Sequence, residues 1–479
     1  MSVVAALGLS LMPKPALAFT SSLRRYPYLT DVVGSSATVN WATDQSSTTG
    51  IVRWGKVGAE SCTAHVTLAS STTLIVSQTV EYQWKAMLTL EPDTQYCYRV
   101  YLGDTDLLGA DSSPHFWTQI PAGSNQPFSF VVFGDWGAAY DNGNNTDQAN
   151  LMQQIAASGA RFAITTGDNG YPSGSQANYG DLWQTGPNTS AIFGPAFWTV
   201  AGASMPLFPI LGNHGLSRSD ANHPHLVNWP QDNTVASSGG RYTMDTYCCL
   251  NNTQPESYPS AWYAFDAGNA RFYVLDAAWD EANIGSTDEY ENDYDAHWTP
   301  TSAEYQWLEQ DLAAHPRALK FAFFHYPLYS DNSTEPSDTF LHGPTRLEGL
   351  LSRYGVAIAF SGHAHLYQRN IKPNANSLIS YITGGGGARL EVAGSAGCSA
   401  VDAYAIGWSY SSSGGAGRGS ACGSAPLPTS VAQVFHFLLV TVNGSRVTVT
   451  PTDSAGHTFD VQTYDFKLNT SIFIPLVAH

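Results

Sequence analysis

Phe128-Ser-Phe-Val-Val-Phe-Gly-Asp-Trp-Gly137 decides how this chain is read: a mostly apolar run stops at a glycine and delivers one carboxylate, Asp135. Four more apolar runs end on donor residues, three of them through a glycine. Phe162-Ala-Ile-Thr-Thr166 runs into Gly167-Asp-Asn-Gly-Tyr171, and Leu207-Phe-Pro-Ile-Leu211 into Gly212-Asn-His214. Lys320-Phe-Ala-Phe-Phe324 precedes His325, and Val356-Ala-Ile-Ala-Phe360 precedes Gly362-His-Ala-His365. Continuous apolar runs of this length suit strands buried on both faces. In open α/β sheets, ligands gather beyond the carboxyl ends of strands, so one rim would collect all five motifs.

The residue types at those strand ends share a chemistry. Carboxylate, amide oxygen, phenolate and imidazole are hard or borderline donors for first-row metals, and no thiolate is needed. A single Gly-Asp pair is usually an ordinary turn. Five donor-bearing strand ends together predict a dinuclear hydrolase site, in which two ions about 3.5–4 Å apart clamp the attacking and leaving oxygens of a phosphoryl transfer. One carboxylate must then bridge them, and bound water or hydroxide becomes the nucleophile.

These residues resemble the metallophosphoesterase superfamily, and the Tyr171 of the Gly-Asp-x-x-Tyr pattern resembles purple acid phosphatases in particular. The resemblance implies that Asp135, Asp168, Tyr171 and His365 hold a ferric ion. It implies that Asp168 bridges to a divalent iron, zinc or manganese ion held by Asn213, His325 and His363. It assigns His214, and with it His342 of Leu341-His-Gly-Pro-Thr345, to the substrate phosphate and the leaving group, as donors or acids. The implied fold is α/β: a two-sheet sandwich flanked by helices, extending over 127–466. One position departs from the pattern. The acidic residue that usually follows the Asn-His pair is Gly215 here, which affects the orientation of His214 more than metal binding. The Gly384–Gly387 run, with no Lys-Ser/Thr after it, reads as a loop passing close to the metals rather than a nucleotide cradle.

Composition sets the outer limits. With 479 residues, 21 Lys and Arg against 39 acids and a formal charge of −18, the chain would repel nucleic acid and anionic membrane surfaces. Small phosphate esters remain compatible, because bound metals reverse the local sign. No segment reaches the about 20 apolar residues of a membrane span. Residues 1–18 are apolar and end Ala16-Leu-Ala18, an expected signal-peptidase site, although a basic n-region is missing. This predicts a secreted or extracytoplasmic protein. Six cysteines suit an oxidising compartment. Cys62 and Cys97 are placed to bridge two strands, and Cys398 and Cys422 to staple a Gly/Ser-rich insertion. The adjacent Cys248 and Cys249 stay open between a vicinal bond, other partners and free thiols.

From residue 20 to about 120 the pattern alternates every second residue, clearest in Ala37-Thr-Val-Asn-Trp41, Gly50-Ile-Val-Arg-Trp54 and Gln95-Tyr-Cys-Tyr-Arg-Val-Tyr101. About seven short strands in this length predict an immunoglobulin- or fibronectin III-like sandwich. It resembles the N-terminal domain of plant and bacterial purple acid phosphatases and is expected to act as a scaffold. Helices are predicted over 146–158 and 301–314, the latter with Tyr305, Leu308 and Leu312 on one face. Insertions at 215–259, at 281–295 with six carboxylates, and at 384–426 are expected to shape access to the site. Residues 467–479 form a short apolar tail.

The reading is therefore a secreted metal-dependent phosphomonoesterase. Its rivals are a phosphodiesterase on the same scaffold and an exported binding protein with a vestigial site. A complete set of ligand residues argues against the last.

Overall fold

The computed structural model describes residues 20, 22–46, 49–138, 146–183, 192–215, 224–231, 262–277, 298–372, 378–411 and 417–466, and the backbone of two short strands, Arg241–Thr243 and Ser257–Pro259. Residues 1–18, Cys248 and Cys249, the acidic 281–295 stretch and the apolar tail lie outside the described residues.

All five apolar runs form strands. Phe128–Phe133, Ala163–Thr165 and Leu207–Phe208 lie side by side and parallel in one sheet. Leu319–Phe323 and Ile358–Ser361 do the same in a second sheet of eight strands. The strand expected over 207–211 is only two residues long, since Pro209 cannot donate to the ladder. The two sheets close on an aromatic core: Phe130 meets Phe272 edge-on at 5.0 Å and stacks on Phe162 at 5.5 Å. Within each sheet the parallel strands run the same way, so the loops that follow them leave at one end of that sheet.

Helices Thr146–Ala157 and Ala303–Ala314 fall where the periodicity puts them. The first buries Leu151, Met152 and Ile155; the second buries Tyr305, Leu308 and Leu312 and is capped by the Ser302 side chain, which accepts from the Tyr305 N–H. The closing strands are His436–Asn443, Arg446–Asp453 and Gln462–Asp465.

The N-terminal strands make two sheets, as the alternation predicts, but the inner one does not end at the edge of its own region. Leu23–Val33 pairs in parallel with Leu207–Phe208 through Thr30 and Leu207. A single ten-stranded sheet thus runs from the sandwich into the catalytic layers. Arg25, fully buried, ties the join: its guanidinium donates to Gly180 O and to the side chains of Asn228, Gln176 and Gln83. Disulfides join Cys62 to Cys97 and Cys398 to Cys422. Cys62 sits in a turn rather than on a strand, so the first bond pins a loop to strand Gln95–Leu102.

Candidate dinuclear metal centre

Three of the predicted ligands sit in left-handed backbone: Asp135 at φ 55°, Asp168 at φ 49° and His363 at φ 70°. Non-glycine residues rarely adopt this conformation, and where they do the surroundings must hold them there. Here the hold is visible. The His363 N–H donates to both carboxylate oxygens of Asp135, at 2.9 and 3.0 Å. The Ala388 N–H donates to Asp135 O and the Gly386 N–H to Gly134 O, so the Gly384–Gly387 loop does pass against the ligand strand.

Tyr171, Asp135, Asp168 and His365 converge as one group. The Tyr171 Oη lies 2.7 Å from Asp168 Oδ2, 2.9 Å from His365 Nε2 and 3.3 Å from Asp135 Oδ1. The second group meets the other oxygen of the same carboxylate. Asp168 Oδ1 is 3.3 Å from His325 Nε2, which lies 2.7 Å from Asn213 Oδ1. Asp168 therefore turns one oxygen to each group. Ligand atoms of Asp135, Asp168 and His325 fall within 4.8 Å of one another, all in buried residues. Donors bound to a metal at about 2.0–2.2 Å and at right angles to each other stand about 3 Å apart. The spacing and the hard donor set both fit a pair of first-row ions.

The imidazoles are oriented from behind. Nδ1 of His325 is fixed on Thr166 O and Nδ1 of His365 on Arg389 O, each at 2.8 Å, which presents Nε2 to the cluster. Burial disfavours the charge on His365, but Asp135 beside it raises its pKa to about 9. Burial likewise works against ionised Asp168, yet the imidazoles of His325 and His214 and the hydrogen bond from Tyr171 hold that carboxyl below its ordinary range. The pocket is built to keep negative oxygen.

His214 sits over Tyr171, ring centroids 4.5 Å apart, with its side chain more than a third exposed. Its backbone N–H donates to Asp168 Oδ1 at 2.9 Å. Its Nδ1 is held on Pro172 O. A backbone carbonyl thus orients the ring where the resemblance leads one to expect the acidic side chain that Gly215 lacks. His342 is placed differently: its Nδ1 faces Asp338 O and its ring lies 5.7 Å from Tyr329. The contacts described for it do not include the ligand cluster.

Two carboxylates near the cluster carry no motif. Glu335 Oε2 lies 2.5 Å from His363 Nε2, and Glu391 Oε2 accepts from the His365 N–H at 3.1 Å. Both reach the site through loop paths that no periodicity encodes. His225 and Trp229, read as part of a rim insertion, are instead buried, and burial depresses the His225 imidazole to about 3.

A calcineurin-like phosphoesterase family model matches residues 128–367, half of the chain, and a purple acid phosphatase N-terminal domain model matches residues 26–120. The chain belongs to the calcineurin-like phosphoesterase family, in its purple acid phosphatase group. It is 24% identical over 389 residues to an acid phosphatase of Aspergillus ficuum, covering 60% of each chain. To a purple acid phosphatase of Glycine max it is 22% identical over 385 residues, covering 75% of this chain and 71% of the relative. It spans 53% of a purple acid phosphatase of Arabidopsis thaliana, at 24% identity. The purple acid phosphatase from yellow lupin seeds shares the fold, with a TM-score of 0.57 at 18% identity over 92% of this chain and 74% of that one. No helix among the described residues is long and apolar enough to cross a membrane.

Proposed function

We propose that this protein is a secreted acid phosphatase that hydrolyses small phosphate monoesters at a dinuclear centre of ferric iron and a divalent iron, zinc or manganese ion. The observation that carries the reading is the convergence of Asp135, Asp168, Tyr171 and His365 on one side and Asn213 and His325 on the other, with Asp168 turned to both. His363 joins the second group through its place beside His325, ring centroids 5.0 Å apart. Together the bound ions would neutralise phosphoryl charge and lower the pKa of water.

The protein's own groups complete the chemistry. With Nδ1 donating to Pro172 O, His214 turns Nε2 toward the centre, 3.9 Å from Asp168 Oδ2, on a side chain that is more than a third exposed. As an imidazolium, that Nε2–H donates to a phosphoryl oxygen or to the departing alkoxide. Tyr171 under the ring limits its tilt. His342 is assigned a second contact to the leaving group from the 325–346 connection. Buried aromatic side chains behind the ligands, Trp136 among them, keep bulk water from the inner face of the cluster.

The test is the visible spectrum of the purified protein together with its rates on p-nitrophenyl phosphate and bis(p-nitrophenyl) phosphate. A purple or pink charge-transfer band and a preference for the monoester support the reading. A colourless protein with both ions bound removes ferric iron from it, and a diester preference moves the assignment to a phosphodiesterase.

A further inference from the structure

Glu335 reaches the centre from a turn that no ligand motif touches. Its Oε2 stands 2.5 Å from Nε2 of His363, whose side chain is almost fully buried. The turn that carries it is tightly held. The Asn332 carboxamide oxygen accepts from the N–H groups of Thr334 and Glu335, at 2.6 and 2.9 Å. The Ser330 hydroxyl donates to Glu335 O, and Asn332, itself buried, donates to Val392 O. Ser333 N–H binds Ser395 Oγ, one residue from Gly394, whose own surroundings include both sulfurs of the Cys398–Cys422 disulfide. Glu335 is therefore a carboxylate on a braced support rather than on a free loop.

His363 differs from its two partner imidazoles. His325 and His365 fix Nδ1 on backbone carbonyls and turn Nε2 to the cluster. In His363 it is Nε2 that is taken, and by a side chain. A carboxylate oxygen accepts, so the nitrogen facing it carries the proton, and a protonated nitrogen cannot coordinate a metal. We infer that Glu335 is a positioning residue for the second metal: it fixes His363 with the proton on Nε2, so that Nδ1 is the ligand atom. This rests on the proposed dinuclear reading of the site. A carboxylate behind a ligating histidine fixes its tautomer and ring orientation and raises its basicity, and losing one typically lowers metal affinity or activity about 10- to 100-fold.

The experiment compares Glu335→Ala, Glu335→Gln and Glu335→Asp with the wild type, by metal analysis and by titrating zinc into protein that retains its first ion. Glu335→Ala is expected to keep the first ion and its tyrosinate absorption but to bind zinc about 10- to 100-fold more weakly. Gln, whose amide oxygen still accepts from Nε2–H, restores most of that affinity. Asp, one methylene shorter, does not. A residue that merely braced the turn would lower the melting temperature without separating the two ions. Unchanged zinc affinity in Glu335→Ala overturns the inference. So does unchanged affinity with a rate loss confined to substrates with poor leaving groups, which would make Glu335 a proton donor instead. A wild-type protein that binds no second ion would defeat the dinuclear reading itself, a result separable from any behaviour of the variants.

Discussion

The Tyr171 phenol oxygen lies 2.7 Å from Asp168 Oδ2, while the other oxygen of that carboxylate, Oδ1, faces His325. One side chain thus links the residue that would give the protein its colour to the group that would hold the second ion. Tyr171→Phe is expected to abolish the visible charge-transfer band while leaving the second ion bound. Absorption spectra with metal analysis check both halves, and a band surviving in the variant would place the chromophore elsewhere.

Gly167 has φ +100°, and a Cβ there would stand 2.5 Å from Nδ1 of His325. Gly167→Ala therefore combines left-handed strain with a clash against a proposed ligand, a predicted loss of about 2–3 kcal/mol. Chemical denaturation measures the stability, and zinc titration should show the weaker second site.

His214→Ala should lower kcat roughly 100- to 10,000-fold, the range for a positioned proton donor. Metal content should hold, since the hydrogen bond to Asp168 comes from the His214 backbone. His342→Ala is expected to have the smaller effect, because its ring is already engaged with Tyr329 and Asp338. Steady-state kinetics on one activated monoester ranks the two.

Glu81 is fully buried at the join between sandwich and catalytic layers. Burial pushes its pKa up to about 8, reinforced by the neighbouring Asp181 and opposed by Arg25 and Arg24. The folded state thus holds a proton that the unfolded chain releases near its ordinary value of 4.5. Stability from this group is complete below that value and is lost as pH rises toward 8. The wild-type melting temperature should fall across this window more steeply than that of Glu81→Gln. Parallel slopes would show that Glu81 does not carry the dependence.

The Thr30–Leu207 bridge gives the N-terminal region more than a neighbour's role. A fragment of residues 122–466 would expose strand Leu207–Phe208 as an open edge and unpair the groups that Arg25 satisfies. Exposed edges of this kind pair with other chains. The fragment should aggregate where the full chain remains soluble, which size-exclusion chromatography at matched concentrations will show.

Five of the seven expected ligands were legible because each terminates an apolar run. A strand end followed by a polar residue is a local feature, and Asp135, Asp168, Asn213, His325 and His363 all display it, four of them after a glycine. The helix over Ala303–Ala314 was legible for the same reason, through its one-sided apolar spacing and Ser302. Glu335 was not, because it sits in the Asx-type turn Asn332-Ser-Thr-Glu335, where an acid ordinarily faces solvent. His225 and Trp229 lie in the 215–259 stretch expected to shape access, and no local pattern marks them as buried.

By itself the sequence determined which residue types stand at which strand ends, and hence the chemistry available: hard donors, a phenol and no thiolate. Tertiary structure alone decided which oxygen of Asp168 meets which imidazole, that Pro172 O orients His214 in place of a side chain at Gly215, and that one sheet runs through both regions. The difference is physical. Periodicity and strand-end chemistry are set by neighbours along the chain, whereas hydrogen-bond partners are set by where separate loops come to rest, and that depends on the packing of the whole core.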